Sequence, residues 1–287
     1  MTKLNIIKKS NILVVSHDAG GAQILSSYIK KKNLNCHYLL SGPATEIFRS
    51  KLKNINKKKK NFIKNINLLF TGTSYKNRTE VKYLKMAREK KIYSISFLDS
   101  WVNYKQRFKL LNKYYYPDEM VVYDKESFEI AKKVFKKKTK ITKINNPYLS
   151  SFKMGNTKKN NYLIYLSSNF DVTKKFNISD KSLFMNFLKK IDGYIKDQNI
   201  YKIIIKNHPG EKSNKYDFIK KLKTAGFKLK KAKKNQKLED LLKNSKHVAG
   251  FDTMGLVVGK LLKNFVINLK FKGYKSSIPE KYIDKYL

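Results

Sequence analysis

The chain has 287 residues, 41% of them apolar and 13% aromatic, which supports a sizeable core and excludes the low-hydrophobicity disordered class. Its only cysteine, Cys36, rules out an internal disulfide or a zinc cluster and points to a reducing compartment, the cytoplasm. The formal charge of +43 rests on 64 basic residues of which four are arginine, Arg49, Arg78, Arg88 and Arg107. Nucleic-acid recognition favours the guanidinium group, so a solvated lysine surface that attracts anionic lipid headgroups and nucleotide-linked substrates is the expectation, with no specific nucleic acid.

The N-terminal segment MTKLNIIKKSNILVVSHDAGG sets basic residues before an apolar run, but that run is only 12–15 and leads into a polar, glycine-containing turn. It reads as a first strand over 11–15, not as a signal peptide. No apolar run approaches the roughly 18 residues of a membrane span. Short apolar runs then alternate with helix-period segments, the pattern of a parallel sheet covered on both faces. A helix is expected over 22–31, a strand over 36–40, a helix over 44–53, a strand over 68–71 closed by Gly72, and a helix over 79–90. Strands over 92–98 and 119–123 and a helix over 126–135 complete the first half. The polar stretch KMGNTKKNN, 153–161, has the composition of a linker.

The alternation then restarts. Strands are expected over 162–166, 201–206, 227–229, 247–251 and 265–269, and helices over 181–196, 216–225, 238–244 and 254–262, with Gly226 as a left-handed C-cap. The fold class is therefore α/β, with two doubly wound Rossmann-like domains, 1–152 and 153–287, facing a central cleft.

In open α/β sheets ligands bind beyond the carboxyl ends of the strands, so the residues just after each strand carry the functional reading. Ser16-His17-Asp18-Ala19-Gly20-Gly21 follows strand one. Its glycines permit a tight turn and the approach of an anion to a helix start, while Asp18 also serves as an ordinary cap. The segment is not a GxGxxG fingerprint, which disfavours a nicotinamide cofactor. Lys206-Asn207-His208-Pro209-Gly210-Glu211 follows YKIIIK; Pro209 keeps His208 extended at the sheet rim, where an imidazole can donate to a phosphate. His37 and His247, at strand positions, are expected to be buried. Gly250-Phe251-Asp252-Thr253 opens a helix: Asp252 or Thr253 is a good N-cap, and Thr253 with the free N–H groups could hold a phosphate if the Asp252 carboxylate turns away. Asp99, beside the only tryptophan, Trp101, is either a base near an aromatic sugar platform or a surface carboxylate beside a core ring.

The glycine-containing turn after strand one, Asn146-Pro147-Tyr148 at the boundary, Leu166-Ser167-Ser168, His208-Pro209 with Glu211, and Asp252-Thr253 together resemble the GT-B glycosyltransferases. Among these the chain looks most like the bacterial sialyltransferase, polysialyltransferase and CDP-glycerol glycerophosphotransferase-like group, and more distantly UDP-N-acetylglucosamine 2-epimerase. The resemblance implies a metal-independent transferase without a cofactor, moving a sugar from a nucleotide-activated donor to a glycan or lipid-linked acceptor of the cell envelope. The lysine surface adds the expectation of peripheral contact with anionic membrane at the inner face. Domain 153–287 would bind the donor through His208 and Thr253 with Asp252, with Ser167, Ser168, Lys206, Pro209 and Glu211 as further binding positions, joined by Gly20 and Gly21 of domain 1–152. Domain 1–152 would take the acceptor, with Asp18 as base. That group carries two acidic residues before one glycine, where this chain has His17-Asp18-Ala19-Gly20, so His17 and Asp99 stand as alternatives for the base. A sugar-nucleotide epimerase, and a basic nucleic-acid- or lipid-binding protein, are the competing readings.

Overall fold

The computed structural model describes residues 7, 10–52, 55, 65–152, 158–167, 178–208, 211–212, 214–224, 226–233, 235–271, 273–274 and 276–287. The chain divides into two units, Met1–Ser151 and Phe152–Leu287. The basic run 57–60 and most of the linker stretch lie outside the described residues.

In the first unit β1 (Ile12–Ser16), β2 (Cys36–Leu40), β3 (Leu68–Thr71) and β4 (Tyr93–Phe97) are joined by α1 (Ala19–Lys32), α2 (Pro43–Lys51) and α3 (Thr79–Glu89). A small antiparallel hairpin, β5 (Lys109–Leu110) and β6 (Lys113–Tyr114), precedes β7 (Glu119–Val122), α4 (Lys125–Phe135) and β8 (Lys140–Lys143). The sheet order is β2-β1-β3-β4-β7-β8, all parallel. Every β1 residue is buried because both faces of a parallel sheet are covered. Leu13 and Val15 pack with Leu84 and Ala87 of α3 and Phe135 of α4, while Tyr28 of α1 meets Phe97 at a ring separation of 5.0 Å. Local signals fix the helix ends: Pro43 opens α2, Asp124 and Ser127 form a reciprocal capping box on α4, and Asn33 closes α1 at φ 50°.

The second unit runs β9 (Asn160–Leu166), α5 (Asp180–Asp197), β10 (Lys202–Lys206), β11 (Lys228–Lys231), α6 (Leu238–Asn244), β12 (Ser245–Gly250), α7 (Met254–Leu261), β13 (Phe265–Asn268) and β14 (Lys285–Tyr286). Its sheet is also parallel, in the order β11-β10-β9-β12-β13-β14. Counted within the unit, this is the 3-2-1-4-5-6 order of dinucleotide-binding folds, and the first unit has the 2-1-3-4-5 flavodoxin-like order extended by one strand. The strand order therefore reverses between β1 and β3, and again between β9 and β12. Phe184, Phe187, Ile191 and Ile195 line one stripe of α5 and bury against Leu163, Tyr165, Ile203 and Ile205.

The structure departs from the sequence reading in two ways. The helix expected over 216–225 is a 3-10 helix, Asp217–Lys221. Its core-facing residues Tyr216, Ile219 and Leu222 recur every three positions, the period of the tighter helix. Gly226 adopts a positive φ, 84°, but the 3-10 helix ends before it, at Lys221, with Leu222 extended. The unforeseen strands are β5 and β6, of two residues each, and the edge strands β8 and β14, which are lysine-bearing as sheet edges often are. Among the described residues no helix is long and apolar enough to cross a membrane.

His247 is buried in β12 between Tyr194 Oη (3.0 Å from Nδ1) and Asn161 Oδ1 (3.3 Å from Nε2). Burial first, then the charges of Lys246 and Lys159, hold its pKa down at about 4 against 6.5 for a free histidine. Between these values the unfolded chain binds a proton that the native chain does not, so stability rises with pH across this window and is lost on acidification. Replacing His247 with Gln should flatten the stability profile between pH 6.5 and about 4 by up to roughly 1.4 kcal/mol per pH unit, read by urea denaturation. Gly193 lies mid-helix in α5, and an added Cβ there meets nothing within 4 Å. Gly193→Ala should raise stability by about 0.5–1 kcal/mol in the same assay.

Candidate functional site

Each unit gathers its chemistry at the carboxyl edge of its sheet, where the strand order reverses, and each half is built differently. In the first unit β1 leads through Ser16, His17 and Asp18 into α1. Asp18 is the N-cap by position, yet its side chain makes no capping bond; its Oδ1 instead lies 2.7 Å from His17 Nδ1. The pair keeps access to solvent, with the side chains 25% and 38% exposed. His17 is held from two other directions. Its backbone N–H donates to Glu80 Oε1 at 2.9 Å, and the ring lies on the β2–α2 turn at Gly42, whose φ is 54° and where a Cβ would come within 2.7 Å of Nε2.

The negative group at the start of α1 is Asp99, from the end of β4. A Cβ on Gly20 would sit 1.9 Å from Asp99 Oδ2, and one on Gly21 would press on the Gly72–Thr73 backbone at 3.1 and 3.2 Å. The two glycines expected to admit a ligand phosphate thus admit the protein's own groups. Asp99 Oδ1 accepts from Arg107 Nη1 at 3.1 Å and Thr73 Oγ1 at 3.2 Å, and the guanidinium also donates to the Thr73 carbonyl at 3.0 Å. Both charged side chains are nearly sequestered, 11% and 9% exposed. Burial pushes the Asp99 pKa up, Arg107 opposes this, and the nearby Asp18 carboxylate adds to it. The two carboxylates are thereby differentiated: Asp99 is buried and neutralised by Arg107, whereas Asp18 meets solvent beside an imidazole.

Trp101 is anchored by its Nε1–H, which donates to Asp124 Oδ2 at 3.0 Å. Glu80 had no signal in the sequence beyond its place in the first turn of α3. It is buried, its Oε1 also accepts from Ser74 Oγ at 2.8 Å, and burial foremost raises its pKa. Its Oε2 and the Ser16 hydroxyl are buried without a hydrogen-bond partner among the described residues, and a Cβ added at Gly72 would lie 3.0 Å from that hydroxyl.

In the second unit β10 and β12 flank β9, so the loops carrying His208 and Thr253 leave the sheet about 10 Å apart. Lys206 ends β10 half-buried, and loss of hydration lowers its pKa, partly offset by Glu239. Ser167 and Glu211 brace the loop from within. Glu211 accepts from the His208 N–H at 3.0 Å, Ser167 Oγ at 2.9 Å and Lys215 Nζ at 2.5 Å, with only 5% of its side chain exposed. The Ser167 hydroxyl is shared with Tyr216 Oη at 3.1 Å. Both side chains are thus engaged in hydrogen bonds within the unit. Ser168 and Pro209 lie outside the described residues.

The start of α7 is brought onto the end of β9 by glycines. A Cβ at Gly250 would lie 2.9 Å from the Leu166 carbonyl oxygen, and one at Gly255 would lie 2.5 Å from Leu166 Cδ1. Asp252 takes a left-handed φ of 49°, and its carboxylate makes no capping bond to the helix but is engaged by the chain that follows β13. Tyr274 Oη, Ser276 Oγ, and both the N–H and Oγ of Ser277 donate to it, while its own N–H is fixed by Asn268 Oδ1 at 3.0 Å. Thr253 occupies the N-cap position with no side-chain capping bond, and the first turn of α7 contains no acidic residue. The capping role expected of Asp252 or Thr253 is therefore filled by neither side chain, because the carboxylate is saturated by the 274–277 loop. A helix start without a side-chain cap or a nearby free carboxylate favours an anion.

No family model and no curated protein sequence matches the chain. Solved structures do. The UDP-GlcNAc 2-epimerase of Methanocaldococcus jannaschii in complex with UDP-GlcNAc and UDP matches at a TM-score of 0.65 with 14% identity, covering 90% of this chain and 83% of that one. The UDP-GlcNAc 2-epimerase of Neisseria meningitidis bound to UDP-GlcNAc matches at 0.61 with 11% identity, over 91% and 82%. The Escherichia coli heptosyltransferase WaaC with ADP matches at 0.50 with 13% identity, over 96% and 90%. The fold is thus GT-B-like, built of two Rossmann-like units with six-stranded parallel sheets.

Gly20→Ala should displace Asp99 from Arg107 and Thr73 and lower stability by on the order of 3 kcal/mol, as for a broken buried ion pair. Denaturant titration of the variant beside wild type measures it; an unchanged midpoint would show that Asp99 yields freely.

Proposed function

We propose that the chain is a sugar-nucleotide enzyme, and specifically a glycosyltransferase. The second unit binds the donor phosphate at the start of α7, assisted by His208 and Lys206, and the first unit supplies Asp18 as the base. The observation that carries the reading is that α7 opens with no side-chain cap and no acidic residue in its first turn, while the Asp252 carboxylate before it is engaged by Tyr274, Ser276 and Ser277. A bound phosphate would also restore to the dehydrated Lys206 the counter-charge that favours its protonated form.

In the proposed step the acceptor hydroxyl gives its proton to the Asp18 carboxylate as its oxygen bonds to the anomeric carbon. The bond from that carbon to the phosphate oxygen breaks, and the departing nucleotide keeps the electron pair, stabilised by the α7 N–H groups, Thr253 and the His208 imidazole. His17 orients the Asp18 carboxylate, and Asp99 remains paired with Arg107. No metal or cofactor takes part in this scheme. The donor base would follow the sialyltransferase and CDP-glycerol resemblance, and the acceptor would be a glycan or lipid-linked precursor at the cytoplasmic face of the membrane.

A second reading, a UDP-GlcNAc 2-epimerase, is favoured by the likeness to the two epimerases, both solved with that sugar nucleotide. Incubation with UDP-GlcNAc alone separates the two readings, since conversion without an acceptor belongs to the epimerase. Thermal shift across CMP-, CDP- and UDP-linked sugars should reveal one selective donor, with about 2.7 kcal/mol of stabilisation at a hundredfold excess over Kd. His208→Ala should abolish most of that shift. Asp18→Asn should preserve the shift and lower turnover by about 10²–10⁴-fold. Failure of every nucleotide sugar to bind, or an unchanged affinity in His208→Ala, would refute the proposal.

A further inference from the structure

The β5–β6 hairpin ends in an unusual residue. Leu110 pairs with Lys113, so Leu111 and Asn112 form a two-residue turn, and Leu111 adopts a φ of 53°. A positive φ at the first position of such a turn is where glycine is preferred, and a branched side chain is strained there. Leu111 is nevertheless 88% exposed, so its side chain gains almost nothing from the fold. Strain without a folding benefit points to a role outside the fold.

The surroundings define that role. Lys109 and Lys113 on the hairpin strands and Lys105 ahead of them are exposed, Tyr114 is 41% exposed, and residues 100–117 include no acidic side chain. The base of the hairpin is rigid. Phe108 is buried against Phe135 and Tyr116 at ring separations of 5.7 and 6.0 Å, Tyr116 stacks on Tyr114, and Arg78 Nη1 donates to the Gln106 carbonyl at 3.0 Å. An apolar point, a tyrosine at its shoulder and lysines around it match, in depth order, the hydrocarbon, interface and headgroup layers of an anionic bilayer. A second copy of the chain, itself at +43, would set lysines against lysines.

We propose that the β5–β6 hairpin is a membrane-docking element that inserts Leu111 into the interface of an anionic bilayer, with Lys105, Lys109 and Lys113 on the headgroup phosphates. The test uses the full chain with no sugar nucleotide present, so its outcome is independent of the activity proposed above. Cys36 is the sole cysteine and is buried, with its thiol pushed up to about 12, so a cysteine at 111 labels selectively. Leu111→Cys carrying an environment-sensitive fluorophore should shift to the blue on mixed phosphatidylcholine/phosphatidylglycerol vesicles at physiological ionic strength, and not on phosphatidylcholine alone. The same label at exposed Lys90 should not shift. Asparagine tolerates positive φ, so Leu111→Asn should stay folded and sediment with the mixed vesicles about tenfold more weakly. Lys109→Gln and Lys113→Gln should each weaken binding by about fivefold. Equal shifts at 111 and 90 would mean adsorption by charge alone and overturn the proposal, as would wild-type sedimentation of Leu111→Asn or lipid-free self-association that Leu111→Asn abolishes.

Discussion

The start of a helix at the carboxyl edge of a parallel sheet is electropositive, and what each unit can bind depends on where the nearest carboxylate goes. In the first unit Asp99 is drawn against Gly20 at the start of α1 and is neutralised there by Arg107. In the second unit Asp252 stands one residue before the N-cap of α7, where it would repel an anion, and a left-handed backbone turns it to the 274–277 loop instead. A buried ion pair thus lies against the α1 start, and the α7 start has neither a side-chain cap nor an acidic residue in its first turn. Glycines permit both arrangements, since a Cβ at Gly20 would meet the Asp99 carboxylate and one at Gly250 or Gly255 would meet Leu166 first.

Burying Asp99 with Arg107 has a large desolvation cost, which a single ion pair repays only when further hydrogen bonds satisfy both groups. Thr73 supplies them through its hydroxyl and its carbonyl. The gain is positional. With Asp99 occupied, the carboxylate beside it that meets solvent is Asp18, and the imidazole, the Glu80 contact to the His17 backbone and the Gly42 turn all fix the place of that dyad. Mutations at Glu80 or Gly42, which contact His17, should therefore act on the dyad directly, and one at Thr73 through Asp99.

Much of the architecture was legible because a buried parallel strand is a short apolar run between turn residues; the expected bounds of β2 and β3 coincide with those observed. Of the four edge strands, β8 (KITK) and β14 (KY) were not, since they have one unpaired side and the composition of loops, whereas β2 keeps an apolar run. The strand-end rule identified His17, Asp18, Asp99, His208 and Thr253, because in a parallel sheet position along the chain alone places such residues at one edge. It could not give their partners. Glu80, Thr73, Tyr274, Ser276 and Ser277 are distant in sequence or ordinary in type, and the failure of Asp252 to cap follows from a backbone torsion that no residue pattern reveals.

Arg107 shows what a skewed composition conceals. Its guanidinium joins the Thr73 carbonyl, the Thr73 hydroxyl and Asp99 from one nitrogen and reaches the Val102 carbonyl from Nε at 3.4 Å. A planar fork spans those acceptors in fixed directions, and a compact ammonium does not. In a chain so heavily drawn toward lysine, codon drift has an open route at almost every basic position but meets a geometric barrier here. The scarce cation, not the abundant one, therefore marks where exchange between the two is least tolerated.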